Sequence, residues 1–260
     1  MDQIEVRILN CGALLEAEKN MVFAARLTQR GHAVHSMEEL IALYEKSFSQ
    51  DTLKNIGQLP HPTVQKFCVI TVAIVGASRR FLSQITRHQN EVKFMSASLQ
   101  YSNYSGQGEF ALPYEILTAP EHIRRLYEES CRSDMDCYET LCSLGIGHDT
   151  AGYATPQGLR NVLVISATPY QWKHMIGQRT CRRNTDEMRI VMLKIWQELY
   201  GSSPVLFAPE LTGPFCQRGN CAEGRMSCGK PLGKGMEPVD ILELDYPVFG
   251  KGGNHEGKAD

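Results

Sequence analysis

The sequence predicts a mixed α/β chain organised around one hydrophobic core, and three observations carry that reading. Two apolar runs rich in β-branched residues, 67–75 and 161–167, read as buried strands. Longer stretches set apolar residues at helical spacing, above all 120–144 and the segment running from Asn184 or Thr185 to Tyr200. The 260 residues are 42% hydrophobic, enough for one large domain or one domain with a small appendix.

Taken in order, residues 5–10 form a short strand and 17–29 a helix. Ser36, followed three residues later by Glu39, has capping-box spacing, and Leu40, Ile41, Leu43 and Tyr44 suit one face of the helix behind it. The strand over 67–75 ends at Gly76, and 78–88 reads as a helix carrying Phe81, Leu82 and Ile85. Residues 95–108 are polar, tyrosine-rich and punctuated by glycine, which reads as a loop or irregular strand of the kind that holds ligands. Pro120 is placed for the first turn of the helix over 120–144. After the strand at 161–167, a helix capped by Asn184 or Thr185 runs to Tyr200 and stops at Gly201. Beyond Pro204 the chain is rich in Gly, Pro and Cys without periodicity, so 1–203 reads as one unit and 204–260 as an extension that needs a staple or a partner.

The formal net charge of −2 argues against a general nucleic-acid binder. The longest nearly apolar run, 67–77, is well short of the roughly 20 residues of a membrane helix. The start, Met1-Asp2-Gln3-Ile4-Glu5, lacks a basic region followed by an apolar one, so no secretory signal is expected. The chain is therefore read as soluble and cytoplasmic. Nine cysteines in that setting point to reduced core thiols or a metal site rather than disulfides.

Three constellations could carry chemistry. Gln84 and Arg87, three apart, would share a helix face, with His88 and Gln89 following and Ser98, Gln100, Tyr101 and Ser102 beyond. Arginine clamps phosphate, glutamine can read a base or ribose edge, and serine hydroxyls add donors; a solvated helix end with a polar loop would give the same pattern. The second is Arg179-Thr180-Cys181-Arg182-Arg183, equally compatible with a charged helix start. The third is Cys216, Cys221 and Cys228, three thiols in thirteen residues. They suit a metal knot, or free or redox-active thiols, with Cys181, His174 or His255 as a fourth ligand. There is no Gly-x-Gly-x-x-Gly fingerprint, no phosphate loop and no serine elbow.

Around Gln84-Ile85-Thr86-Arg87-His88-Gln89 the chain resembles the flavin-dependent thymidylate synthases, whose signature is Arg-His-Arg, seven residues, then Ser and usually an Arg-Tyr pair. Here the run is Arg87-His88-Gln89, eight residues, Ser98, then Gln100-Tyr101. His61-Pro62-Thr63 is similar to that family's upstream His-x-Ser/Thr segment, and the stretch 151–175 to the one leading to its catalytic arginine. Pro156 falls on a family proline, Arg179 on the arginine and Glu187 on an acidic residue after it. The likeness spans roughly 5–200, in order and spacing more than identity. Gln89 and Gln100 stand where arginines are usual, Ser96 where a glutamate is, and Gly152 where another arginine is; Arg182 and Arg183 are the cations at hand to replace them.

The resemblance implies a central, largely antiparallel sheet flanked by helices, in homotetramers that bind FAD where subunits meet. It implies reductive methylation of dUMP to dTMP using methylenetetrahydrofolate and NADPH. Arg179 would polarise the uracil and no cysteine would attack it. Thr63, Arg87, His88, Gln89 and His174 would lie near FAD, and Gln84, Arg87, Ser96, Ser98, Leu99, Gln100 and Arg179 around dUMP. Zinc held by Cys216, Cys221, Cys228 and Cys181 would be an addition. Two other readings stand beside it: a related flavin- and folate-dependent transferase acting on another pyrimidine nucleotide, and a metal-stapled nucleic-acid-binding protein using the Cys tail.

Overall fold

The computed structural model describes residues 4–59, 62–219, 221 and 223–249; His61 and His255 lie outside them. Four strands, β1 (Glu5–Ile8), β2 (Ile70–Ser78), β3 (Val92–Ser96) and β4 (Arg160–Ala167), form one sheet in the order β1-β2-β4-β3. Every neighbouring pair is antiparallel. The mixed α/β architecture with an antiparallel sheet is thus the one expected.

The strand sequences dictate which face is buried. Ile70, Val72 and Ile74 alternate inward on β2, opposite Leu163, Ile165 and Ala167 of β4. Val75 and Val162 point the other way and are 40% and 48% exposed. At the far end of β2 the register shifts between Val75 and Ala77. The bulge sits at Gly76, whose φ of +88° a side chain would resist. It re-aims the strand so that Ala77 and Ser78 are both buried and lead straight into the next helix.

The helices are α1 (Cys11–Arg30), α2 (Met37–Lys46), α3 (Gln50–Gln58), α4 (Arg79–Ile85), α5 (Tyr114–Leu117), α6 (Glu121–Ser143), α7 (His148–Ala151), α8 (Pro169–Arg179), α9 (Asp186–Ser202) and α10 (Pro238–Asp245). The inward sheet face packs into one core with Leu14, Met21 and Val22 of α1, Trp172 and Ile176 of α8, and Ile190 and Trp196 of α9. A second, smaller cluster of Tyr104, Met135, Tyr138, Ala151 and Leu159 ties the chain after β3 to α6 and α7. Among the described residues no helix is long and apolar enough to cross a membrane.

Several boundaries differ from expectation for local reasons. β1 stops at Ile8 because Asn10 turns to brace β2, donating to the Val69 carbonyl (3.2 Å) and accepting from Thr71 N (2.8 Å). α1 then starts at Cys11, before the expected 17. Ser36 Oγ accepts from Glu39 N at 3.2 Å, but the Glu39 carboxylate takes His35 N, so the capping box is half formed. β2 begins at Ile70, leaving Phe67 exposed.

β3 begins before the segment expected to be loop or irregular strand and takes in its first two residues, Met95 and Ser96. It is a short sheet-edge strand whose inward apolar residues are only Val92, buried, and Phe94, half-buried against the core. Unexpected α8 is buried around most of its circumference, Gln171 and Lys173 included, and so shows no polar face to mark its period. α9 runs through Gly201 to Ser202, with Thr185 at its N-cap position but making no cap bond.

The tail is the largest departure. Read from the sequence as an extension that needs a staple or a partner, it instead places Leu206, Phe207, Leu232, Ile241, Leu242 and Tyr246 in the main core. Its apolar residues arrive in pairs between Gly and Pro turns, a pattern periodicity cannot detect. A partly buried polar clasp holds α10 to α9. Arg182 donates to Asp245 through Nε (3.0 Å) and Nη2 (2.6 Å), and Arg189 also contacts Asp245. Arg189 Nη1 reaches Tyr246 Oη at 2.6 Å, and that hydroxyl donates to Asp186 at 2.8 Å.

Candidate functional site

The site forms where α4 and α8 end. α8 springs directly from β4. Thr168 caps it by accepting from Gln171 N (3.3 Å), and Pro169 takes the first position, where a missing N–H is harmless. This fixes where His174 and Arg179 emerge. α4 is anchored at its start by Ser78, whose Oγ accepts from Phe81 N at 3.0 Å. Glu187 of α9 accepts from both Ser78 N (2.7 Å) and Ser78 Oγ (2.5 Å). The acidic residue that the family pattern places after the arginine is therefore structural here: it locks α4 to α9.

α4 ends at Ile85, with Thr86 as its C-cap. Gln84 and Arg87 accordingly do not share a helix face, as their spacing had suggested. Arg87 is exposed past the cap, while His88 folds back and is buried. The following turn is pinned at Glu91, a non-glycine residue at φ +53°. Glu91 pairs with Lys66 Nζ at 2.5 Å and accepts from Thr168 Oγ1 at 3.2 Å, which offsets the backbone strain.

Arg179 is the centre of the arrangement. Its Nε donates to His88 Nε2 at 2.8 Å, Nη1 to Asn184 Oδ1 at 3.3 Å and Nη2 to the Gln84 carbonyl at 3.3 Å. A guanidinium has five N–H donors, so the described hydrogen bonds leave two for a ligand. Asn184 is itself fixed, donating to the carbonyls of Gln178 (2.7 Å) and Cys181 (3.3 Å). Thr185 Oγ1 donates to Gln84 Oε1 at 3.2 Å. The sequence offered Asn184 and Thr185 only as helix caps; nothing in their spacing marked them as supports for Arg179 and Gln84.

His88 must be unprotonated on Nε2 to accept from Arg179. Burial, the Arg179 charge and His174 together hold it down to about 4. His174 stands edge-on to His88, with centroids 6.2 Å apart, and burial lowers it as well. Burial and the neighbouring Arg87 charge lower Arg179, which remains a cation. The result is a fixed positive charge held by neutral partners, ready to stabilise negative charge developing on a ligand.

Arg179 faces a cavity of about 530 Å³ that also takes in Asn184, Arg182, Arg183 and Lys230. Cys181, Cys216, Cys221 and Cys228 all line it. The structure thus gathers the four predicted metal ligands, but among the described residues no three His, Cys, Asp or Glu side chains are placed to hold an ion. Cys221 is exposed while the other three are partly buried, and Cys228 Sγ is turned into its own backbone turn, accepting from Lys230 N. Among the described residues these four thiols are not gathered into a zinc knot.

The remaining predicted residues lie apart. Thr63 and Gln89 are exposed, and no described hydrogen bond joins them to Arg179. β3 runs from Val92, beside Ala167, to Ser96, beside Leu163, about 13 Å along the strand. Ser98 and Gln100 follow, bonded to each other at 3.1 Å, and none of their described hydrogen bonds reaches Gln84 or Arg179. Leu99 packs at Gly152, where an added Cβ would lie 3.3 Å from Leu99 Cβ. The family's arginine is thus replaced by a close packing contact. Arg182 cannot substitute for it, because its planar fork is committed to Asp245 and to the Lys230 carbonyl.

Fold and site define a single-sheet α/β protein whose ligand cavity is cationic and centred on one oriented arginine. The chain belongs to the family described as thymidylate synthase complementing protein, whose model matches residues 12–205. It is 25% identical over 215 residues to the flavin-dependent thymidylate synthase of Geobacter sulfurreducens, covering 83% of this chain and 90% of that one. It is 27% identical over 173 residues to the Thermococcus onnurineus enzyme of the same name, covering 64% and 69%. Among solved structures, the UMP/dUMP methylase PolB from Streptomyces cacaoi, bound with 5-Br dUMP, superposes with TM-score 0.60, 16% identity and coverage of 79% and 93%. Thymidylate Synthase X from Helicobacter pylori, with FAD and dUMP, gives 0.55, 16%, 78% and 97%. At such identity these two establish the fold.

Proposed function

We propose that this chain is an FAD-dependent thymidylate synthase of the cytoplasm, methylating dUMP to dTMP with methylenetetrahydrofolate as one-carbon donor and NADPH as reductant. The observation that carries the reading is the Arg179–His88 pair, a cation held by a neutral imidazole at the wall of a ligand-sized cavity. The chain also fits a large anionic flavin. A second cavity of about 470 Å³, lined by His174, Tyr170 and Phe215, contains the buried Lys173 amine, which has no hydrogen-bond partner among the described residues. When bound, the flavin supplies the hydride that turns the delivered one-carbon unit into a methyl group.

The chain's own residues do the rest. Arg179 aims two N–H donors at the uracil and stabilises negative charge as the ring N–H proton is lost. His88 fixes the guanidinium plane, and Gln84, itself held by Thr185, reads a base edge. Thr63, Arg87, Gln89 and His174 contact the flavin. Ser96, Ser98, Leu99 and Gln100 contact the nucleotide from a second copy, because β3 carries them away from Arg179 within one chain. A homotetramer meets that requirement, and the exposed Val75, Val162 and Met95 on the outer sheet face support it. We assign the catalytic unit to 1–203 and treat 204–260 as its extension.

A second reading is favoured by one observation. Leu99 fills the space at Gly152 where the family pattern has an arginine, so the nucleotide's surroundings differ from the usual ones. The acceptor would then be another pyrimidine nucleotide. Purified protein tests the flavin assignment: it should be yellow, or become so with added FAD and dUMP, and NADPH should bleach it without oxygen. A chain that takes up no flavin with nucleotide present contradicts both readings.

A further inference from the structure

Lys173 lies on α8 beside His174, away from the thiol cavity. It is 8% exposed, and its Nζ has no hydrogen-bond partner among the described residues. A buried amine without a partner either loses its proton or awaits an anion. The amine lies near Gly57: a Cβ added there would be in ordinary contact with Nζ at 3.8 Å, while its close neighbour would be Leu211 Cδ1 at 2.7 Å. Lys173 and Gly57 line the 470 Å³ cavity together with Gln65, Glu210, Phe215 and Arg218. Gln65 Oε1 is also buried, with no donor among the described residues. Arg218 stacks over Phe215 at 5.1 Å, which sets a second cation in the same wall. One cavity thus combines an orphan amine, a second cation, an orphan acceptor and an aromatic face.

We propose that the Lys173–Arg218 cavity is an oxyanion subsite, which binds a phosphate or carboxylate group carried on a ligand with a neighbouring hydrogen-bond donor for Gln65. It rests on the proposed function for its two candidate sources, the diphosphate of the flavin dinucleotide and the terminal carboxylates of the folate. Binding is a proton-coupled event: the neutral amine takes one proton from solvent as the oxyanion arrives, and the ammonium then donates to it. Burial first, and the Arg218 charge second, hold Lys173 down to about 7 in the free chain. Glu210, Tyr170 and His174 face the same cavity, and burial lowers His174 from its ordinary value. At pH 8 the free amine is therefore mostly unprotonated, and an arriving anion should draw in close to one proton. At pH 6 the amine is already charged and the uptake should nearly vanish.

Isothermal titration of the full chain in two buffers of different ionisation enthalpy reads the protons directly. FAD, riboflavin, methylenetetrahydrofolate, inorganic pyrophosphate and succinate serve as ligands, against wild type, Lys173→Met and Lys173→Arg. At pH 8 at least one oxyanion should take up roughly one proton more in wild type than in Lys173→Met, whose affinity should fall roughly tenfold or more. Lys173→Arg should keep affinity within a few-fold and lose the proton uptake. FAD or pyrophosphate showing the effect, with riboflavin silent, identifies the diphosphate; folate or succinate identifies the carboxylates. Equal proton uptake in wild type and Lys173→Met for every ligand overturns the subsite. Absence of FAD binding alone would sink the proposed function, while pyrophosphate and succinate would still report on Lys173.

Discussion

Replacing His88 by Phe keeps a planar ring in a buried position and removes the one acceptor that Arg179 Nε meets at 2.8 Å. The two contacts that remain, to Asn184 and to the Gln84 carbonyl, are both 3.3 Å and fix the guanidinium less firmly. A hydrogen bond to a charged group contributes about 1.5–3 kcal/mol. If that orientation is realised in the transition state, turnover falls roughly 10- to 150-fold. His88→Gln returns an acceptor and should recover much of the loss. The assay is single-turnover methylation of dUMP with flavin occupancy confirmed by absorbance, so that a flavin-binding defect is separated from chemistry. The pH profile adds an independent check. The folded His88 is held near 4 by burial, Arg179 and His174, against an ordinary value near 6.5. The unfolded chain binds the extra proton between those limits. Stability should therefore drop by at most a few kcal/mol as pH falls from 6.5 to 4, with no further loss from this group below 4. Turnover should show no acid limb near 6.5. His88→Phe turning over within twofold of wild type at full flavin occupancy would refute the role given to His88.

Asp245→Asn removes the carboxylate shared by Arg182 and Arg189, and leaving buried charges unpaired should cost about 3–5 kcal/mol in urea unfolding; a loss below about 1 kcal/mol would mean the clasp does not hold α10. Burial alone would raise Asp245, but hydrogen bonds from Arg182 and Arg189 outweigh it and hold it below the ordinary range. Its contribution is present above the unfolded value near 3.8 and is lost as pH falls below it. Gly177→Ala sets a Cβ 2.6 Å from Phe215 Cε1, so the ring must shift. The expected cost is about 1–3 kcal/mol in thermal or urea unfolding, and an unchanged midpoint would show the tail to be loosely seated.

The sequence made the sheet's centre legible because β2 and β4 are β-branched and half-buried, and period two survives in both. Arg179 was legible through its family spacing, and His88 through the motif that carries it. Their mutual hydrogen bond was not, since it spans 91 residues and depends on how two helix ends meet. The edge strand β3 escaped because it is only five residues long with a single fully buried side chain, and α8 because it is buried around most of its circumference. The tail's place in the core depends on Asp245 finding two arginines more than fifty residues away, which no local pattern records. Lys173 gave no sign at all: a lysine beside a histidine in an unrecognised helix reads as surface until its amine proves to be enclosed.

The most direct measurement is the nucleotide product formed by flavin-loaded wild type and Arg179→Ala from dUMP, methylenetetrahydrofolate and NADPH under anaerobic conditions, identified by mass. Wild type should yield dTMP, and Arg179→Ala should bind flavin equally yet form product roughly 100- to 1000-fold more slowly, the loss expected when a donor to developing charge is removed. Bound flavin in wild type with no methylated nucleotide, or equal rates in the two proteins, would contradict the assignment of Arg179 as the residue that activates the ring.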